Sequence, residues 1–189
     1  TAGMKATLNK QVSSSVTSDV SFIAKAGQGL SWFQSTGYTQ LINEINKTKG
    51  SKPIAVVFNL GINDMANISN YISYMSDIAS TLKSKNCKLF YMSVNPINSV
   101  MITKAGKGAR TEAQVREFNS KIRSGLSLNY KYIDTYSVLM KKGYGTNSSY
   151  SGTDAASDDG LHYTTKTFKR IYYYCITYLN TGSIDASIY

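Results

Sequence analysis

Three short stretches of this chain carry residues whose types and spacing suit proton transfer or anion stabilisation. The single histidine, His162, stands in Asp158-Asp159-Gly160-Leu161-His162-Tyr163. An imidazole takes up and returns a proton near neutral pH, and a carboxylate on its other nitrogen fixes the tautomer and steadies the cation that forms. Asp159 and His162 are three apart, just ahead of an expected helix, so one turn can fold the carboxylate back onto the ring. Asp158 competes for that role. A lone histidine near an aspartate is also an ordinary surface or capping feature.

The second stretch is Gly61-Ile62-Asn63-Asp64, directly after an apolar run. A glycine lets the backbone turn tightly, which can aim the Asn63 carboxamide as an N–H donor toward a developing oxyanion. Asn and Asp favour turns for local reasons as well. The third is Gly27-Gln28-Gly29, whose backbone N–H groups can serve the same oxyanion or simply form a loop. It lacks the third glycine of a dinucleotide fingerprint.

The elements that must position these residues are set out by periodicity. Ser21 to Ala26 is expected as a short strand before the glycine loop, and Thr39 to Lys47 as a helix with Leu41, Ile42 and Ile45 on one face. Ile54-Ala55-Val56-Val57-Phe58 is the surest strand, and a long amphipathic helix from Ile68 to Leu82 comes next. Lys88 to Val94 is a further strand, and Asn95 to Arg110 is expected as a loop. Thr111 with Gln114 then forms a capping box ahead of Val115, Phe118 and Ile122. Tyr130 to Asp134 is a shorter strand, Tyr136 to Lys142 a helical piece, Gly143 to Gly160 a long polar loop, and Thr164 to Leu179 a closing helix. Strands alternating with helices predict an α/β protein, a three-layer α/β/α sandwich around a parallel, flavodoxin-like sheet, in one domain over residues 1–189. Ligands in such sheets bind at the carboxyl ends of the strands.

Together, Gly27 or Gly29, with the Gly29-Leu30-Ser31-Trp32 context preferred, then Gly61-Ile62-Asn63-Asp64, then Asp159-Gly160-Leu161-His162 resemble, in order and spacing, the blocks of the SGNH, or GDSL-like, hydrolases. That resemblance implies a serine esterase or deacetylase. His162 would be its general base and Asp159 the group orienting it; Asn63 and the Gly29 N–H would form the oxyanion hole, with Gly27, Gly61 and Asp64 in support. It implies no metal and no organic cofactor. The family's Gly-Asp-Ser block is absent from the 189 residues, and Thr1-Ala2-Gly3-Met4-Lys5 resembles the residues just after that block in the family. The nucleophile and the first strand of the sheet, missing from this chain, are therefore expected upstream of Thr1, on the same polypeptide or on a separate bound N-terminal peptide. Ser31 and Thr1 are lesser candidates for the nucleophile.

Composition narrows the partners. The chain has 42% apolar and 17% charged residues and no run near the roughly 20 apolar residues that cross a bilayer. Its formal charge of +10 is scattered rather than blocked, which argues for a generic basic surface over nucleic-acid recognition. Cys87 and Cys175 lie in apolar patterns and read as small buried hydrophobes. Fifteen tyrosines suit either a sugar-binding surface or amphipathic packing. With the basic charge they favour an acetylated carbohydrate or cell-wall substrate over lipid. Secretion from a bacterium or a cell-surface location fits, and a cytoplasmic one stays open; Thr1 to Lys10 shows no apolar leader. The competing readings are a non-catalytic carbohydrate-binding module that keeps the fold and a flavodoxin-like interaction protein.

Overall fold

The computed structural model describes residues 4–6, 19–48, 50, 52–144 and 159–187. Its centre is a parallel sheet of β1 (Ile54–Phe58), β2 (Cys87–Met92) and β3 (Lys131–Ile133), in that spatial order. Ile54 pairs with Cys87 and Phe58 with Tyr91, while Phe90 pairs with Lys131 and Met92 with Ile133. Parallel neighbours need a crossover, and a helix supplies each one: α3 (Ile68–Ser84) between β1 and β2, and α5 (Glu112–Gly125) between β2 and β3.

Side-chain alternation makes the sheet two-faced. Val56, Phe58, Leu89 and Tyr91 point into one core with Tyr71, Met75 and Leu82 of α3 and with Val115, Phe118 and Ile122 of α5. Phe90, Met92 and Ile133 point into the other, against Leu139 of α6 (Thr135–Lys141) and Ile171, Tyr174 and Cys175 of α7 (Thr165–Thr181). Helices thus cover both faces, giving the expected sandwich. Each large side chain buried here contributes about 1.5–3 kcal/mol.

A helical stretch runs from α1 (Leu30–Trp32) through a π-helical turn (Phe33–Gly37) into α2 (Tyr38–Lys47). Gly37 lets this turn close, since a Cβ there would lie 2.7 Å from the Phe33 ring. Ser31 is consequently a helical residue rather than a loop residue. The expected strand at Ser21 to Ala26 is corrected: residues 20–25 form no ladder, because no described strand lies along the second edge of β1 to receive them. A second correction concerns Asn95 to Arg110, which holds a short helix, α4 (Ser99–Lys104). The Asn98 side chain caps it by accepting from the Met101 N–H at 3.1 Å, and Ile102 buries its one inward position.

The Thr111 capping box is present, with the Thr111 hydroxyl accepting from Gln114 N–H and the Gln114 side-chain Oε1 accepting from Thr111 N–H. Both cysteines are free and buried. Tyr71, Tyr91, Tyr130, Tyr144, Tyr172 and Tyr174 are buried, and no described tyrosine is exposed. The six buried rings serve core packing. No described helix is long and apolar enough to cross a membrane. Most of the long polar loop, with Asp158, and the segment holding Thr1 lie outside the described residues.

Candidate active site

A parallel sheet delivers the carboxyl ends of its strands to one edge, and polar side chains tie those ends together here. Asn59, just past β1, donates to the Ser93 carbonyl at 3.0 Å. The Ser93 and Thr135 hydroxyls lie 3.0 Å apart, and Thr135 donates to the Asn95 side-chain oxygen at 2.7 Å. Asn119 of α5 holds both the N–H and the carbonyl of Val94, at 2.9 and 2.8 Å. The loops beyond β1 and β2 thus leave the sheet from a fixed platform.

The loop after β1 carries Gly61 to Asp64. Gly61 takes φ +121°, and a Cβ there would lie 2.3 Å from the buried Phe118 ring, so both conformation and space demand glycine. The turn closes with Asp64 N–H donating to the Gly61 carbonyl at 3.0 Å. Asp64 then reaches back across the sequence: its Oδ2 accepts from Leu30 N–H at 2.8 Å and its Oδ1 from the Tyr71 hydroxyl at 2.5 Å. A carboxylate on the first free N–H of a helix satisfies an otherwise orphaned donor. Burial, and then the bond to Asp64, push the Tyr71 phenol well above its ordinary range, so it remains a donor. Gly29 packs directly on this carboxylate, where a Cβ would fall 2.2 Å from Asp64 Oδ2.

These contacts bring the two glycine-bearing loops together. Asn63 Nδ2 donates to the Gln28 carbonyl at 2.9 Å, leaving its second hydrogen, and the Gly29 N–H donates to no described residue. Gly27 occupies a left-handed turn with open space around its α-carbon, unlike closely packed Gly29. Arg110, at the far end of the stretch expected as a loop and not singled out by any sequence motif, also reaches this loop. Its Nε donates to the Ile62 carbonyl at 2.9 Å and its Nη2 to Asn63 Oδ1 at 3.4 Å.

The third stretch forms a compact turn before α7. Asp159 Oδ1 accepts from the Leu161 and His162 N–H groups, each at 2.9 Å, while Oδ2 lies 2.6 Å from His162 Nδ1. One carboxylate therefore shapes the turn and fixes the imidazole, whose side chain is 59% exposed with Nε2 bonded to no described residue. Gly160, at φ +70°, lies against α4: a Cβ would meet the Asn98 carbonyl at 2.5 Å, and Asn98 N–H donates to the Gly160 carbonyl at 2.9 Å. The Tyr163 hydroxyl donates to the Pro96 carbonyl. The segment from Val94 to Arg110 is thus a bridge, with the His162 turn held near one end and the Asn63 loop at the other.

No group of three or more His, Cys, Asp or Glu side chains comes together among the described residues. The described residues hold an imidazole against a carboxylate in one turn, and a carboxamide beside a backbone N–H that donates to no described residue in two neighbouring loops. No curated protein matches the chain. The sequence model of the GDSL-like lipase/acylhydrolase family matches residues 3–174, nearly the whole chain. On that match, over a parallel α/β fold, the chain belongs to the GDSL-like lipase/acylhydrolase family and is a hydrolase of ester bonds.

Proposed function

We propose that this protein is a serine esterase or deacetylase that removes short acyl groups, acetyl foremost, from an ester substrate. The observation that carries the reading is the 2.6 Å contact between Asp159 Oδ2 and His162 Nδ1, which leaves Nε2 as the proton acceptor. In this reading a serine of the family's Gly-Asp-Ser block, proposed to lie upstream of Thr1, attacks the ester carbonyl and passes its proton to His162 Nε2. The tetrahedral oxyanion is held by Asn63 Nδ2, the Gly29 N–H and the serine's own N–H. His162 then protonates the leaving alcohol. Water, activated by the same imidazole, releases the acid and restores the serine.

The substrate is proposed to be a water-soluble ester such as an acetylated carbohydrate. The scattered charge of +10 supports an acidic or hydroxyl-rich polymer over a neutral lipid surface. Only Val100 and Leu128 are exposed large apolar side chains among the described residues, too few for a lipid-binding patch. Assay of the polypeptide with its upstream block against an acetyl ester tests the reading. Hydrolysis that disappears in His162→Ala, with the fold unchanged by circular dichroism, is the expected result. Near-full activity in that variant removes the assignment.

A further inference from the structure

We infer that Arg110 is the positioning residue that sets which way the Asn63 carboxamide faces. The inference rests on the esterase reading for its catalytic consequence, but its structural part stands on geometry alone. A carboxamide has a donor end and an acceptor end of nearly the same shape, so only its neighbours decide the orientation. Here they agree. Arg110 Nη2 has hydrogens and no lone pair, so the end of Asn63 facing it at 3.4 Å must be the oxygen. The Gln28 carbonyl has lone pairs and no hydrogen, so the end facing it at 2.9 Å must be the nitrogen. Neither partner tolerates the flipped amide.

Arg110 is itself fixed by its backbone partners. Nε donates to the Ile62 carbonyl at 2.9 Å and Nη1 to the Lys107 carbonyl, so each guanidinium nitrogen has an acceptor and the plane cannot rotate. Arg110 is half-buried, and the side chain spans two loops 47 residues apart in sequence. A positive charge on Oδ1 also draws electron density from the amide and makes its N–H groups stronger donors to an oxyanion. Lysine cannot replace this. A single ammonium on a flexible stem lacks the planar fork that meets Ile62, Lys107 and Asn63 at once.

The test is a cycle of Arg110→Met, Arg110→Lys and Asn63→Ala, alone and combined, in the polypeptide with its upstream block. Arg110→Met is expected to lower kcat about tenfold with KM little changed, and Arg110→Lys to recover little of it. Once Asn63 is alanine, adding Arg110→Met is expected to cost nothing further, because the arginine acts through that amide. Additive losses would overturn the inference. In parallel, the side-chain amide protons of Asn63 are followed by NMR in the same variants, a readout that needs no activity. Wild-type protein is expected to show one Asn63 amide proton, the one donated to the Gln28 carbonyl, shifted and protected from exchange relative to the other, a difference that shrinks toward that of a free carboxamide in Arg110→Met, and an unchanged pair would overturn the inference. Should wild-type protein hydrolyse no ester, the esterase reading fails and this spectrum alone decides the role of Arg110.

Discussion

The loop bearing Asn63 and the turn bearing His162 fix their side chains by opposite means. Around Asn63 the bracing is long-range: Gly61 on Phe118 of α5, Asp64 on Leu30 and Tyr71, and Arg110 from beyond α4. Around His162 the ring is held locally, by an Asp159 carboxylate that also accepts from two N–H groups within four residues, while the turn as a whole is tied to the start of α4 through Gly160. Both Asn63 and the 59% exposed imidazole face solvent, but the Asn63 loop leans on buried Phe118, Leu30 and Tyr71, whereas the ring leans on Asp159. Damage to the buried supports of Asn63 should therefore reach fold and chemistry together, and loss of the Asp159 charge chemistry alone.

The sharpest separation is expected from Asp159→Asn. The amide oxygen still accepts from Leu161 and His162 N–H, so the turn survives, but the charge that orients and steadies the imidazolium is gone. A loss of about 10⁴-fold in kcat is expected, with unfolding free energy within about 0.5 kcal/mol of wild type by urea titration. Asn63→Ala is expected to lower kcat by about 10²- to 10³-fold, far more than it changes KM, as steady-state kinetics would show. Gly61→Ala should break the comparison from the other side. A methyl group driven into Phe118 at φ +121° is expected to cost about 3 kcal/mol, read in the same urea titration, and to reduce activity in proportion to the unfolded fraction.

Legibility in the sequence obeys the same division. The Asp159 to His162 turn could be read because its partners lie within three residues and obey local geometry. The strands Ile54–Phe58 and Cys87–Met92 could be read because continuous β-branched and aromatic runs suit a sheet covered on both sides. Arg110 could not, since nothing in Gly106-Lys107-Gly108-Ala109-Arg110 signals a partner at Ile62 and Asn63. Ser21 to Ala26 has strand-like composition but depends on a neighbouring strand, which composition cannot supply. Helix α4 was hidden because six residues are too few to show a helical period.

Smaller effects probe the scaffold. Thr111→Ala removes the capping box of α5 next to Arg110 and should cost about 1 kcal/mol, with a loss of kcat no larger than that of Arg110→Met. Alkali gives a pH test with a fixed sign. Burial pushes the Cys175 thiol up to about 12, and burial with the bond to Glu112 pushes the Tyr136 phenol up to about 12. The unfolded chain releases these protons from about pH 8.5 and about pH 10 respectively, while the folded chain keeps them. Stability is thus fully present below those values and falls as pH rises toward 12, so the urea midpoint should be lower at about pH 10.5 than at about pH 7.

The most direct measurement is a crystal structure of the polypeptide with its upstream block after reaction with a fluorophosphonate. The expected result is a serine adduct whose phosphonyl oxygen lies about 3 Å from both Asn63 Nδ2 and the Gly29 nitrogen, with His162 Nε2 facing the leaving-group side. An adduct oxygen touching neither donor, or an imidazole turned away from the phosphorus, would contradict the account.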